Sequence, residues 1–184
     1  NDPMKKLLCA LLVLTGAAVA LPACSTEPKT AAEKSTLSND VDAALSAFKN
    51  ADSSLAGELN KSAGYAVFPD VGKGGFIAGG SYGKGEVFDH GVRVGWCDLS
   101  QATIGLQAGA QTFDELIIFK DQAALDRFKE GKFAFAANAS AVAVKPGAAA
   151  SNDYNSGVAV FTRTKGGVMA EAALGGQKFS FKKY

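Results

Sequence analysis

Two short turns carry residue types that bind anions. Each has a lysine followed by two glycines, and successive backbone N–H groups in a tight glycine turn can point at one negatively charged group. The candidate residues are Lys73, Gly74, Gly75, Lys165, Gly166 and Gly167. Lys84 and Arg93 are further cations that we expect on the same face. A phosphate-bearing headgroup is the predicted ligand; the alternative is that Lys-Gly-Gly only makes a tight turn.

The residues that usually do bond-making chemistry are sparse. His90 is the only histidine, and its Asp-His-Gly context is typical of a hairpin turn. No cysteine or histidine cluster completes a zinc site around it, and no Gly-x-Ser-x-Gly elbow supplies a nucleophile. The glycine-rich run 80–85 precedes a predicted strand, whereas nucleotide-binding loops precede a helix. The sequence therefore favours a protein that is not an enzyme, with no cofactor and no metal; a hydrolase is the weakest alternative.

The N-terminal residues have the layout of an export signal. A basic start precedes an apolar run from Leu7 to Leu21, and small residues then lead to Cys24. This order resembles the lipobox of bacterial lipoproteins, in which the cysteine is acylated, with palmitate as an expected chain. We predict a signal peptide over 4–23, lipidation at Cys24, and an expression remnant over 1–3. A membrane-spanning helix is the alternative, but the run is shorter than the ~20 apolar residues that a span requires.

The charge balance and the cysteine count argue against two features, a nucleic-acid partner and an internal disulfide. Removal of Lys5, Lys6 and Asp2 with the signal would leave 17 basic and 17 acidic residues, out of 19 and 18 in the whole chain. A neutral total gives no reason to expect nucleic acid as a partner. Cys97 would be the one cysteine left besides the lipidated residue, so the mature protein cannot form an internal disulfide. We predict that Cys97 is a buried, inert thiol.

The elements that must position these residues fall into one domain. Residues 24–36 are polar and predict a tether, and residues 37–184 have the length of a single domain. Apolar residues at helical spacing predict a helix over 38–62 that can break near residue 51. A second helix is predicted over 121–130, with Gly131 as its C-terminal stop.

From Gly64 onward the hydrophobic period changes to that of short strands separated by glycine-bearing turns. The predicted strands are 65–68, 76–78, 86–88, 92–94, 103–110, 116–119, 139–145, 157–164, 168–174 and 178–181. A loop over 146–156, rich in small and polar residues, is predicted to be mobile. Glycines inside several strands indicate sharp bending. The predicted class is α+β, with a curved, mostly antiparallel sheet or a partly closed barrel and covering helices.

The glycine-bearing runs resemble one known family. The runs that carry the resemblance are 62–69, 73–76, 79–85, 105–111 and 114–119. In this order they resemble the SYLF domain, and the similarity extends over nearly the whole predicted domain. The resemblance implies a lipid-binding module: eukaryotic relatives bind phosphoinositides, some yeast relatives bind actin, and bacterial relatives are largely lipoproteins.

Two departures from the family limit what the resemblance implies here. The helix before Gly64 carries only Lys49 and Lys61 as basic residues near its C-terminal half. The chain also has no SH3-like segment. We therefore expect neither phosphoinositide specificity nor actin as a partner.

The sequence as a whole predicts a non-enzymatic envelope lipoprotein that binds phospholipid or another anionic amphiphile. Ser25 follows the lipidation site without an acidic retention signal, so the outer membrane is favoured over the inner membrane. The first alternative is a structural or adhesion protein of the cell surface whose partner is another protein.

Overall fold

The computed structural model describes most of the chain from residue 26 onward. The ranges described are 26–74, 78–104, 111–133, 135, 140–152, 154–165, 172–173 and 176–184. The predicted signal peptide, 4–23, and the predicted lipidation site, Cys24, lie outside these ranges and stay predictions.

Three helices accompany the sheet in the part of the chain that the structure describes. Their bounds are α1 Ala31–Ala51, α2 Leu55–Lys61 and α3 Gln122–Lys129. Helix α1 begins with a capping box: the Thr30 hydroxyl accepts from the N–H of Glu33, and the Glu33 carboxylate accepts from the N–H of Thr30. This cap makes residues 31–36 helical, although the sequence analysis assigned them to the tether. Within the described ranges, no helix is long and apolar enough to cross a membrane.

The described residues form eight strands of one sheet. Their bounds are β1 Gly64–Gly74, β2 Ala78–Asp89, β3 Val92–Ile104, β4 Gln111–Phe119, β5 Ser140–Ala143, β6 Val158–Thr164, β7 Ala172–Ala173 and β8 Gln177–Lys183. The spatial order is β7-β5-β6-β4-β1-β2-β3-β8, and every neighbouring pair is antiparallel except β5 with β6. Strands β7 and β8 are the two edges, and no pairing among the described residues joins them. The α+β prediction is confirmed, with an open sheet and not a closed barrel.

The sheet is strongly curved. Gln177 on β8 and Glu115 on β4 are four strand spacings apart, which is ~19 Å in a flat sheet. Their side chains nevertheless meet across the concave face, with Gln177 Nε2 3.0 Å from Glu115 Oε2. Glycine permits the close strand approach that this curvature needs, since a Cβ on Gly85 would meet the carbonyl oxygen of Val67.

Two cores lie on the two faces of the sheet, because successive residues of a strand point to opposite faces. The first core lies on the concave side, where strands β1 to β4, β6 and β8 pack with α3. Large buried members of this core are Phe68, Leu99, Phe113, Ile117, Phe119, Leu125 and Phe128. Helices α1 and α2 cover the convex side. The largest buried members of that second core are Phe48, Leu55, Tyr65, Phe88, Leu116, Ile118 and Phe161.

Cys97 belongs to the concave core. Its thiol is fully buried and has no disulfide partner. Burial raises the pKa of the Cys97 thiol well above its ordinary value, so the reactive thiolate is strongly disfavoured. The prediction of a buried, inert thiol is confirmed.

The loop that follows β5 is packed against the helices. Ala148 and Ala149 are buried, and the Asp52 carboxylate accepts hydrogen bonds from the N–H groups of Gly147 and Ala149 at 3.1 and 2.8 Å. Asp52 lies at the break between α1 and α2, so one carboxylate fastens the loop to both helices. The mobility predicted for this loop is therefore wrong for its first half.

Candidate functional site

The two predicted Lys-Gly-Gly turns begin on either side of β4. Lys73 and Gly74 are the last residues of β1, and Lys73 pairs with Gln111 at the start of β4. On the other side, the N–H of Lys165 donates to the carbonyl of Thr112 at 3.1 Å. The structure thus brings both turns to one end of the sheet. The turn residues outside the described ranges are Gly75, Gly166 and Gly167, so the anion-binding nests stay predictions.

Lys165 is held in an ion-pair network. Its ammonium lies 2.5 Å from Asp70 Oδ1 and 3.2 Å from Asp114 Oδ1, and Arg163 pairs with the other oxygen of Asp114. Partial burial lowers the pKa of Lys165, but the two carboxylates outweigh that effect and raise the pKa overall. An anion at this turn would have to compete with two carboxylates that already neutralise the lysine.

Arg93 joins the sheet to α1. Its guanidinium donates to Asp42 Oδ1 at 2.5 Å and to Glu86 Oε2 at 2.9 Å. Glu86 is fully buried and accepts two further hydrogen bonds, from Ser38 Oγ and from the hydroxyl of Tyr184. The hydrogen bond to Asp42 is the largest cause of a raised Arg93 pKa. This arginine balances a buried carboxylate between β2 and α1.

Lys84, on β2, lines a surface pocket of about 370 Å³ between the sheet and the start of α1. We call it the anchor-side pocket; its lining residues are Pro28, Lys29, Glu33, Leu37 and Lys84. Pro28 is buried and Leu37 is half-buried, which gives the pocket an apolar part. The two lysines give it a cationic part, so the combination suits an amphiphile with a negative headgroup.

The anchor-side pocket lies next to the first described residues. Thr26 Oγ1 donates to Asp98 Oδ2 at 2.5 Å, and Asp98 is the residue opposite Lys84 in the β2–β3 pairing. Cys24 precedes Thr26 by two residues, which can span at most ~7 Å. The predicted acylation site is thus close in sequence to the residues that line this pocket.

The acidic groups around the pocket already have partners. Glu27 pairs with Lys34 at 2.6 Å, and the hydrogen bond from Lys34 is the largest cause of its lowered pKa. The pKa of Glu33 is lowered first by the N–H of Thr30, within the capping box. The charge of Lys182 also acts on Glu27. The charges of Lys84 and Lys29 also act on Glu33, so an anion in this pocket would share the two lysines with that carboxylate.

His90 lines a second surface pocket, of about 300 Å³. Its Nδ1 is 2.7 Å from Asp89 Oδ1, while the other oxygen of Asp89 pairs with Lys129 at 2.5 Å. Ser62 lines the same pocket, but its hydroxyl donates to the carbonyl of Leu59. A serine nucleophile must donate a hydrogen bond to its general base, whereas the Ser62 hydroxyl donates to a backbone carbonyl. Among the described residues, no cluster of three ligating side chains could hold a metal.

The family comparison identifies the type of domain. A sequence model of the family described as "Ysc84: Las17-binding protein actin regulator" matches residues 100–184. This match over the C-terminal part of the chain is consistent with a domain of the Ysc84/SYLF family. The match runs from the second half of β3 through β8 and includes the runs 105–111 and 114–119. No curated protein sequence matches the chain.

The SYLF resemblance stated from the sequence is thereby confirmed, and the family is one of binding domains. The glycine-rich run 62–85, which carried much of the resemblance, precedes the matched range. It supplies β1 and β2, which pair directly with β3 and β4 in the same sheet.

Sequence reasoning missed part of the anchor-side pocket. Lys29, Glu33 and Leu37 were assigned to the tether or its border, so their contribution to a pocket was not foreseen. The signal that could have found them is the Thr-x-x-Glu pattern of residues 30–33, which marks a helix start. A helix starting there places Leu37 on its second turn.

Proposed function

We propose that this SYLF domain is a non-enzymatic envelope lipoprotein that is acylated at Cys24 and binds anionic phospholipid at the anchor-side pocket. One observation carries the proposal. Lys29 and Lys84 line the pocket beside apolar Pro28 and Leu37, and the predicted acylation site precedes Pro28 by four residues in the sequence.

The chemistry of the pocket matches the two parts of a phospholipid. The ammonium groups of Lys29 and Lys84 would bind the phosphate, while Leu37 would contact the glycerol or the first acyl carbons. An acylated Cys24 would hold this face against the bilayer, which raises the local concentration of headgroups. The outer membrane is the proposed location, and the lipid serves either as cargo or as a docking surface.

Flotation with vesicles tests the pocket. The chain from residue 24 is prepared with Cys24→Ser, so that no acyl group contributes to binding. We expect it to float with vesicles containing phosphatidylglycerol and much less with phosphatidylcholine alone. Combining Lys29→Ala with Lys84→Ala should weaken binding to the anionic vesicles about 30-fold, since each lysine near a charged surface contributes ~1 kcal/mol.

A matched control removes the same charge elsewhere. Lys61 and Lys145 are exposed and do not line the pocket, so their double alanine variant should retain most of the binding. Equal losses in both double variants would show that net charge, and not this pocket, governs binding. A loss confined to Lys165→Ala would instead move the site to the Lys-Gly-Gly end of the sheet.

A protein partner is the second candidate, because the matched family is described as an actin regulator. Co-sedimentation with filamentous actin tests it directly. Binding to actin that survives the Lys29→Ala, Lys84→Ala double variant, together with no flotation of the parent chain, would favour a protein-binding function over the lipid function.

A further inference from the structure

Two buried oxygen atoms on the concave face lack hydrogen-bond partners and belong to side chains that already touch. Glu115 is fully buried on β4, and Gln177 on β8 is 2% exposed. Gln177 Nε2 donates to Glu115 Oε2 at 3.0 Å, while Glu115 Oε1 and Gln177 Oε1 have no hydrogen-bond partner among the residues that the structure describes. Both atoms are acceptors when Glu115 is ionised, so they cannot satisfy each other. Buried acceptors without partners are rare because their desolvation is not compensated.

One proton removes this mismatch. A carboxylic acid has one donor and one acceptor, as does the facing edge of a primary amide. If the proton lies on Glu115 Oε1, it can be donated to Gln177 Oε1 while the existing bond remains. The two unpartnered oxygens are thus the pair of atoms that a protonated Glu115 would join.

We propose that Glu115 and Gln177 form a proton-dependent clasp, in which the protonated acid exchanges two hydrogen bonds with the amide and holds β8 to β4 across the concave face. Loss of the proton removes the hydrogen bond between the two Oε1 atoms and leaves a charged carboxylate in the core. The clasp goes beyond the proposed lipid function and lies on the opposite face from α1.

The surroundings of Glu115 favour the neutral acid. Burial raises its pKa to about 7, and the hydrogen bond from Gln177 lowers it by less. The charged neighbours on β4 and β6, Asp114 and Arg163, pair with each other on the other face.

The other elements that pack on the concave core direct their charges elsewhere. On α3, Lys129 pairs with Asp89. On β1, Asp70 pairs with Lys165. On β8, Lys178 alternates with Gln177 and is exposed. Strand β1 places Phe68 opposite Glu115, and β6 places Thr162 there.

The clasp matters because β8 is an edge strand. Among the described strands its backbone pairs with β3 alone, and the same face of β8 carries Phe179 into an aromatic cluster. The Phe179 ring centroid is 5.1 Å from that of Phe128 and 5.9 Å from that of Phe68. Loosening of β8 would therefore expose aromatic surface from the concave core.

Carboxyl-carbon NMR and amide hydrogen exchange, measured on the full chain across pH 5 to 9, test the clasp. The Glu115 resonance, identified by its absence in Glu115→Gln, should titrate near pH 7. Protection of the β8 amides, corrected for the intrinsic exchange rate, should fall about fivefold above that pH, as expected for one hydrogen bond.

Three variants separate the effect of the proton on β8 protection from the effect of side-chain packing. Glu115→Gln supplies a permanent donor, so β8 should stay protected at every pH. Gln177→Leu removes both hydrogen bonds and should lower β8 protection throughout the range. Ser81→Ala, a change at a neighbouring buried residue of the concave face, should keep the parent pH dependence.

Two results would overturn the clasp. One is a Glu115 carboxyl that titrates near 4.5, the ordinary value for glutamate. The other is a Glu115→Gln protein that keeps the full pH dependence of β8 protection. The titration of Glu115 and the exchange measurement on Glu115→Gln can both be made even if Gln177→Leu fails to fold. Neither depends on the outcome of the vesicle assay.

Discussion

Asp52 shows how one buried side chain can organise three segments. Its carboxylate accepts from the N–H groups of Gly147 and Ala149, and from both the N–H and the hydroxyl of Ser54. Burial alone would raise the pKa of Asp52, but these hydrogen bonds outweigh burial and lower it overall. The ionised carboxylate therefore stabilises the folded chain.

We predict that Asp52→Asn destabilises the protein by about 1–3 kcal/mol. The amide replaces one accepting oxygen with a donor, so a buried N–H of the loop loses its partner. Urea denaturation measures the change in unfolding free energy. Asp40→Asn is the matched control, because Asp40 is exposed on α1 and its change should stay within about 0.5 kcal/mol. Equal midpoints for the two variants would refute a role for Asp52 in holding the loop.

At the scale of elements, the curvature of the sheet depends on strand positions at which neighbouring backbone leaves space only for glycine. We predict that Gly85→Ala destabilises the protein by about 1–3 kcal/mol, because its Cβ would collide with the Val67 carbonyl and press on the Phe68 ring. Thermal unfolding measures the effect. Gly57→Ala is the control: Gly57 lies in α2 with nothing within 4 Å of an added Cβ, so alanine there should be neutral or stabilising. Similar losses from both changes would contradict the steric argument.

The elements that the sequence predicted well have local signals. Helix α3 lies between a capping Asp121 and Gly131, whose φ is +66°, and both residues are visible in the sequence. The predicted strands 65–68, 86–88, 92–94, 116–119, 157–164 and 178–181 are likewise found in the sheet, whereas the predicted strand residues 76–77, 105–110, 139, 168–171 and 174 lie outside the described ranges. The strand order had no such signal, because β6 beside β4 and β8 beside β3 are pairings between distant segments. The hydrophobic period of a strand indicates which of its faces is buried. It does not indicate which of several equally apolar strands pairs with it.

The candidate site divides in the same way. Lys84 could be proposed from its glycine-rich surroundings, and it lines a pocket. Arg93 could be proposed only as a cation, because its partner Glu86 becomes a buried carboxylate through the packing of α1 on the sheet. Glu115 was not singled out, since a single carboxylate inside an apolar strand has no sequence signal that separates it from a solvated one.

At the scale of the whole molecule, two buried carboxyls respond to pH in opposite directions. The folded-state pKa of Asp52 is depressed, so its contribution is present above its unfolded value of 3.8 and is lost as the pH falls. The folded-state pKa of Glu115 is raised from 4.5 to about 7, so its contribution is fully present below 4.5 and is lost as the pH rises to about 7. Together they favour a stability maximum on the acidic side of neutrality.

We therefore predict that the unfolding free energy rises from pH 3 to about 4.5 and falls between about 4.5 and 7, by up to ~3 kcal/mol for Glu115. Urea titrations at half-unit pH steps give this profile. Glu115→Gln should flatten the fall and leave the acid limb, whereas Asp52→Asn should flatten the acid limb and leave the fall. Each variant thus measures the share of one residue in one limb, because Glu27, Glu33 and Asp89 also have lowered pKa values and contribute to the acid limb. A Glu115→Gln protein whose profile between pH 5 and 7 is the same as that of the parent chain would mean that the folded-state pKa of Glu115 is not raised, because stability changes with pH only where the folded and unfolded chains bind different numbers of protons.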